Sequence, residues 1–447
     1  MAFRPIARSF VEAFEAVERD LAPRSPAWLR TARRAALARF AAQGLPTTRD
    51  EEWRYTSLAP LEETPLAPAS LGAPVALPEA ALEPHLVGGS DWHRLVFVNG
   101  RYAPALSRTD RLPDGLRVGS LMDALAGNGE GLASGVLGED AELADAWTAL
   151  NTAYWADGAL VRVAPGRQIE APVHLLFLTT GRDAAPATHP RSLIVLEPGS
   201  QATVIETYGA VDAGPYLTNA VTRIRLAEGA GLDHHRVERE GGRAFHVART
   251  QVVQGRDSRL ASSSILLGGR IARHDLRVRL EAEGADCALR GLYVIGGRQH
   301  VDINTVVDHA RPHGRSRQLF KGVLDGRARG VFSGRVIVRP GAQKTDAHQT
   351  NKNLLLSDGV EVDSKPQLEI FADDVKCSHG AADGQLAGDA LFYLRSRGLA
   401  EAAARALLTY GFASEVLAGI GVAALRARLD ALLTERLSGG RVTEEPA

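Results

Sequence analysis

The residues with the clearest chemical capacity are Cys377 and His379, within Phe371-Ala372-Asp373-Asp374-Val375-Lys376-Cys377-Ser378-His379-Gly380. A thiol and an imidazole two residues apart on a strand point to the same side, because strand side chains alternate with period two. Both bind soft metals or clusters once the thiol is deprotonated and the imidazole is neutral. Lys376 favours a thiolate by charge, but on a strand it faces away from Cys377. A single Cys-x-His supplies two ligands, and a buried thiol beside a hydrogen-bonded histidine accounts for the same residues. The histidines at 234, 235, 246, 274, 300, 309, 313 and 348 have no second cysteine at metal spacing and are expected to be solvated or structurally bonded. Cys287 and Cys377 are the only cysteines. Two thiols exclude a disulfide framework, cannot hold a four-cysteine site, and fit a reducing, cytoplasmic setting.

Other chemistry is hard to find. There is no Gly-x4-Gly-Lys-Ser/Thr phosphate loop and no Gly-x-Ser-x-Gly elbow after a strand, and Gly419-Ile420-Gly421 lies in a helical region without a preceding strand. Arginines crowd positions 311, 315, 317, 327, 329, 335 and 339, with Lys321 among them. Only Phe320 and Phe332 could stack on bases there, so a solvated or subunit-facing surface is expected rather than a nucleic-acid strip. The net charge of -1 over 447 residues gives no global attraction to nucleic acid or membrane. No apolar run approaches the roughly 18–20 residues that span a bilayer, and Glu12, Glu15, Glu18 and Asp20 interrupt the N-terminus where a secretory signal would be apolar.

Three kinds of element must position these residues. Phe10, Phe14 and Val17 share a helical face. A second helix is expected between Ser25-Pro26, as cap and first turn, and Gly44. Trp28, Leu29, Ala36, Leu37 and Phe40 form its apolar side, with the arginines at 30, 33, 34 and 39 opposite. Residues 59–90, rich in Pro and Ala, read as a linker or irregular stretch. From 93 onward the period becomes two, in strands such as Leu193-Ile194-Val195-Leu196 and Arg335-Val336-Ile337-Val338. Gly166, Gly199, Gly229, Gly255, Gly284, Gly314 and Gly341 mark turns about 26–33 residues apart. Short strand units with one apolar face bury it by stacking on the next unit, so a parallel β-solenoid is favoured over a large antiparallel sandwich. The last region is helical again. Leu425, Leu429, Leu432 and Leu433 form one stripe and Leu399, Ala403, Ala406, Leu407 and Tyr410 another, expected to cover the open end of the solenoid or to dock a partner.

Several stretches resemble one family. Leu45-Pro46-Thr47 with Asp50-Glu51-Glu52-Trp53-Arg54-Tyr55-Thr56, then Asn151-Thr152-Ala153 with Asp157-Gly158, are similar to the SufB/SufD family of iron–sulfur cluster assembly proteins, on its SufD side. The longest likeness runs through Gln349-Thr350-Asn351-Lys352-Asn353-Leu354-Leu355-Leu356-Ser357 and Lys365-Pro366-Gln367-Leu368-Glu369-Ile370 to Cys377-Ser378-His379-Gly380. Ala382-Asp383 departs from the Thr-Val usual there. The resemblance implies a mainly β protein, a right-handed parallel β-helix core over 93–380, with N-terminal helices and linker over 1–92 and a C-terminal helical domain over 381–447. It implies a non-catalytic scaffold that pairs with a SufB paralogue, docks the SufC ABC-type ATPase through the C-terminal helices, and forms a homodimer when alone. His379, with Cys377 as the weaker candidate, would contribute to a transient iron–sulfur cluster shared with SufB, and the resemblance leaves room for a reduced flavin in the complex. The rival from another class is an intracellular β-solenoid carbohydrate-active enzyme, which calls for paired carboxylates and sugar-stacking aromatics; aromatics here are 6%.

Overall fold

A computed structural model describes residues 5–70, 75–126, 135, 145–181 and 185–442. Its centre is a parallel β-solenoid of two facing sheets. Sheet 1 ends in the strands Leu217–Leu226, Phe245–Gln254, Ile271–Leu280, His300–His309, Arg329–Val338 and Glu361–Ile370. Sheet 2 ends in Gly231–Arg239, Arg259–Leu266, Asp286–Ile295, Arg315–Leu324, Asp346–Leu355 and Lys376–Gly384. The chain alternates between the sheets, one strand each per coil, from Ala159–Val163 and Val173–Thr179 to the last pair. The solenoid, not the antiparallel sandwich, is the answer.

Register explains the repeat. Leu217, Phe245, Ile271, His300, Arg329 and Glu361 stack as direct partners, so the coil length is the interval between them, 26 to 32 residues. At the corners Gly166, Gly199, Gly229, Gly284 and Gly341 hold positive φ, where a Cβ would be strained. Gly255 and Gly314 do not: in those coils Asp257 and His313 take the left-handed conformation instead, which Asp and His tolerate better than most residues. Alternation sends every second side chain into the space between the sheets, where Leu232, Leu260, Cys287, Ile303 and Phe332 belong to one apolar core.

The N-terminal helices Pro5–Leu21 and Ala27–Gln43 pack over the outer face of sheet 1, with Phe10, Phe14 and Phe40 against Leu217, Phe245 and Ile271. Ser25 does not cap the second helix, which starts after Pro26; its hydroxyl donates to Leu21 O, closing the first. Arg33 is not on the solvent side. It is fully buried, donates to Ala153 O at 3.0 Å and lies over the Trp155 ring. Burial without an adjoining carboxylate lowers its pKa to about 9, against a weaker raising pull from Glu18. The described residues of 59–90 are not a free linker: they include the short elements Ala59–Glu62, Leu66–Pro68 and Glu79–His85, and Leu61, Leu66 and Leu82 are buried.

The C-terminal helices depart most from expectation. They do not close the end of the solenoid. Glu401–Leu417 and Ala423–Arg436 lie along the outer face of sheet 2, burying Val416, Leu417, Leu425, Leu429, Leu432 and Leu433 against Val237, Ile265, Leu292, Val294 and Val323. Lys321 fixes the first of them, donating to Phe412 O at 2.8 Å and pairing with Glu415. Arg436 donates to Val294 O at 3.1 Å. The buried side of Glu401–Leu417 is Ala404, Thr409 and Ala413, so Ala403 and Leu407 of the second stripe face solvent. Among the described residues no helix is long and apolar enough to cross a membrane.

Candidate functional site

Because the helices lie alongside, the last coil is open. Glu361–Ile370 and Lys376–Gly384 are each bonded to a neighbouring strand on one side only. Ten- and nine-residue parallel strands therefore present unpaired backbone donors and acceptors, the arrangement that pairs readily with another chain. Neither strand contains a fully buried residue, unlike every earlier coil of the solenoid. The exposed end also carries apolar surface. Leu368, Ala372, Val375 and Cys377 pack from above on Val336, Val338, Ala342 and Ala347, and Ile370 and Phe371 stand exposed.

Cys377 and His379 sit on this coil. Cys377 stacks on Ala347 and His379 on Gln349, both fully buried residues facing the lumen. The two side chains therefore point along the inward face of sheet 2, with Cα atoms about 7 Å apart. His379 is exposed and makes no hydrogen bond or ion pair among the described residues. Cys377 is half-buried; burial raises its pKa, opposed by a hydrogen bond from the Ala347 backbone and aided to a lesser degree by the Asp346 carboxylate. The thiol is thus held protonated in the free chain. Lys376 does not change this. Ser378, on the opposite side, is hydrogen-bonded to His348 Nδ1 at 2.5 Å, and His348 Nε2 lies 2.9 Å from Asp346, which also accepts from Arg317 at 2.6 Å. Among the described residues, no group of three or more His, Cys, Asp or Glu side chains is placed to hold a metal ion.

The other histidines separate from this pair. His234, His246, His274 and His309 point into the lumen and are buried. His234 bonds to Glu206 and to Ser262, each at 3.2 Å, and His246 bonds to Glu240 at 2.5 Å. On outward faces His235 is buried and His300 half-buried, and loss of hydration lowers each to a pKa of about 3. The Arg311 to Arg339 stretch forms no single strip: Arg315 and Arg317 lie on sheet 2, and Arg329 and Arg335 on sheet 1.

Two features escaped sequence reading. Gln349, Asn351 and Asn353 form an inward amide row. Asn353 donates to Asn351 at 2.9 Å and to Asp383 at 2.7 Å, and Ser364 of the facing sheet donates to Asn351 at 2.8 Å. Three amides at alternate strand positions were the available signal, since an inward polar row must find partners inside. Asp383, where the family pattern has an apolar residue, thus acquires a role as acceptor. The side-chain amide of Gln349, beneath His379, has no hydrogen-bond partner on either atom among the described residues.

Comparison with known proteins decides what this arrangement belongs to. Residues 5–175 match the SufBD protein N-terminal region, and residues 177–412 match the core domain described as "SUF system FeS cluster assembly, SufBD core domain". The chain belongs to the SufBD family. A Synechocystis iron–sulfur cluster assembly SufBD family protein is 39% identical over 393 residues, 86% of each chain. The Escherichia coli iron–sulfur cluster assembly protein SufD is 32% identical over 399 residues, 89% of this chain and 90% of its own. The chloroplastic protein ABCI7 of Arabidopsis thaliana is 28% identical over 382 residues, 83% of this chain and 78% of its own. As a SufBD protein the chain is assigned to iron–sulfur cluster assembly, and the carbohydrate-enzyme reading is set aside.

Proposed function

We propose that this chain is a non-catalytic scaffold subunit for iron–sulfur cluster assembly in the cytoplasm, pairing through its last coil with a SufB-type paralogue. The observation that carries the reading is the open coil. Two unpaired strand edges, an apolar end and an unpartnered histidine occupy one surface on a protein of a cluster-assembly family. A second solenoid end laid against it would satisfy the backbone groups and bury Leu368, Ile370 and Phe371. His379 and Cys377 supply two ligands at most, so the nascent cluster, as cargo, takes its remaining ligands from the partner. Without the paralogue the same surface pairs two copies of this chain.

The division of labour follows 1–92, 93–380 and 381–447: an N-terminal brace, the β-helix carrying the site, and a helical docking domain. Helix Gly388–Ser396 has no buried residue, and Phe392, Tyr393 and Leu407 are 74%, 56% and 50% exposed. We assign this patch to a SufC-type ATPase, whose nucleotide cycle would move the solenoid through the Lys321 and Arg436 contacts. The complex leaves room for a reduced flavin, to which no residue here is assigned.

The test is purification of the tagged chain from its own host at native level. A SufB-type paralogue and a small ABC-type ATPase should co-purify. Leu368→Asp should release the paralogue and keep the ATPase, and Phe392→Ser with Tyr393→Ser should do the reverse. Recovery of the chain alone would contradict the assignment.

A further inference from the structure

The layer of the lumen just beneath the open coil holds an amide that the fold leaves without a partner. Gln318, Gln349 and His379 stack in register on three successive strands of sheet 2. Thr305, Gly334 and Pro366 stack in the same way on sheet 1. At the deepest level the two columns meet across the lumen, where the Thr305 hydroxyl donates to the Gln318 side-chain oxygen at 2.8 Å. One coil further out the facing residue is Gly334, which has no side chain to offer. The Gln349 amide takes up that space: a Cβ on Gly334 would lie 2.1 Å from Gln349 Nε2. Gln349 is 1% exposed, and among the described residues neither its oxygen nor its nitrogen has a hydrogen-bond partner.

The other amides of the row are better served. Asn351 accepts from Ser364 at 2.8 Å and donates to Phe320 O at 3.3 Å. Asn353 donates to Asp383 at 2.7 Å and accepts from the Tyr293 hydroxyl. Gln318 has only Nε2 left over. A buried amide with neither atom paired costs stability that an apolar side chain of the same length would not. At the next level out, Pro366 has no polar side-chain atom, so the polar group stacked over Gln349 is the His379 ring. That ring is also without a partner among the described residues. Neighbouring backbones in a sheet lie about 4.8 Å apart, which brings ring and amide within reach of each other. A ligating histidine binds through one ring nitrogen and donates the N–H of the other, commonly to an oxygen that thereby fixes its tautomer and direction. Asp383, the carboxylate on the same strand, is engaged with Asn353, which leaves Gln349 Oε1 as the acceptor beneath the ring.

We propose that Gln349 is a positioning residue for His379: its side-chain oxygen accepts the imidazole N–H in the assembled site and leaves the other ring nitrogen directed out of the coil as a ligand. This role rests on His379 contributing to the cluster, as proposed above. It makes the unpaired amide a cost borne for function, not a part of the fold.

The test sets Q349M, equal in length and apolar, and Q349E, which keeps an acceptor oxygen, beside H379A and the wild type. The readouts are the melting temperature of the free full-length chain and the iron and acid-labile sulfide of the co-purified complex. Positioning predicts opposite orders in the two. In the free chain Q349M should melt at or above the wild-type temperature and Q349E below it. In the complex Q349M should reduce iron and sulfide at least about threefold, and Q349E should hold at least about twice as much as Q349M. A merely structural glutamine would lose stability and cluster together. Q349M with undiminished cluster, or with cluster and melting temperature lowered together, would overturn the role, and this comparison decides even where Q349E fails to accumulate. Q349E holding no more cluster than Q349M would overturn the acceptor assignment. Full cluster in the H379A complex would overturn the ligand reading itself, whereas cluster lost in H379A and kept in Q349M would overturn the positioning role alone.

Discussion

The middle of the lumen and its open end are built by the same alternation on the same two facing sheets, yet they treat ionisable groups in opposite ways. In the middle, Glu206, His234, Arg236, Glu238, Glu240 and His246 are fully buried, and each has an ionic partner. Burial alone would raise the Glu206 pKa; the hydrogen bond and charge of His234, then the charge of Arg236, outweigh it and hold it at about 2. The Arg236 guanidinium also lies 4.2 Å from the Tyr208 ring centroid. At the end, His379 occupies the same column as His234, five coils along, and has neither burial nor, among the described residues, a partner. Depth in the stack decides whether a histidine is a structural element or an available ligand.

Acid should break the sealed region first and with the largest effect. Burial lowers His85 and His309 to about 4, His174, His189, His235 and His300 to about 3, and His274 well below its usual value. The folded state keeps them neutral while the unfolded chain takes up protons below about pH 6.5, so stability is complete above that pH and falls below it. Each contributes about 1.4 kcal/mol per pH unit once the unfolded histidine is protonated. Urea midpoints should be level from pH 8 to 7 and drop steeply between 6.5 and 5. The separate loss from protonating Glu206, confined between about pH 4.5 and 2, is reached only after that collapse. A midpoint that is flat down to pH 5 would deny that these histidines are buried neutral.

Arg236→Met comes next. It strands Glu206 and Glu238 in the lumen and should cost about 3–5 kcal/mol. Adding Glu206→Gln and Glu238→Gln should recover most of the loss, because the network's cost lies in unpaired charge rather than in missing attraction. Chemical denaturation of the single and triple variants checks both points. Cys377→Ala removes a half-buried thiol from the edge of a small apolar cluster and should cost about 1 kcal/mol or less. His379→Ala should change stability by no more than about 0.5 kcal/mol.

The repeat was legible from sequence because corner glycines and alternating apolar residues report local backbone geometry. Leu425, Leu429, Leu432 and Leu433 were legible as a buried stripe for the same reason. Where that stripe would dock was not: a helical period says which side is apolar, and the outer face of sheet 2 and the solenoid end are both apolar. The buried Arg33 and the Glu206–Arg236–Glu238 network were hidden because charge in sequence suggests solvent, and only packing shows that partners exist. Cys377 and His379 were visible as a pair, but their exposure depends on where residues 388–436 fold. Cys377 also shows that Lys376 next to it in sequence matters less than Asp346 on the neighbouring strand.

The central claim is that the open coil supports cluster assembly through His379 while contributing little to the fold. The most direct measurement is iron and acid-labile sulfide in the complex purified with His379→Ala, beside the same complex with the wild-type chain. Partners retained in equal amount with most of the cluster lost is the predicted result. An intact complex with undiminished iron and sulfide would contradict it.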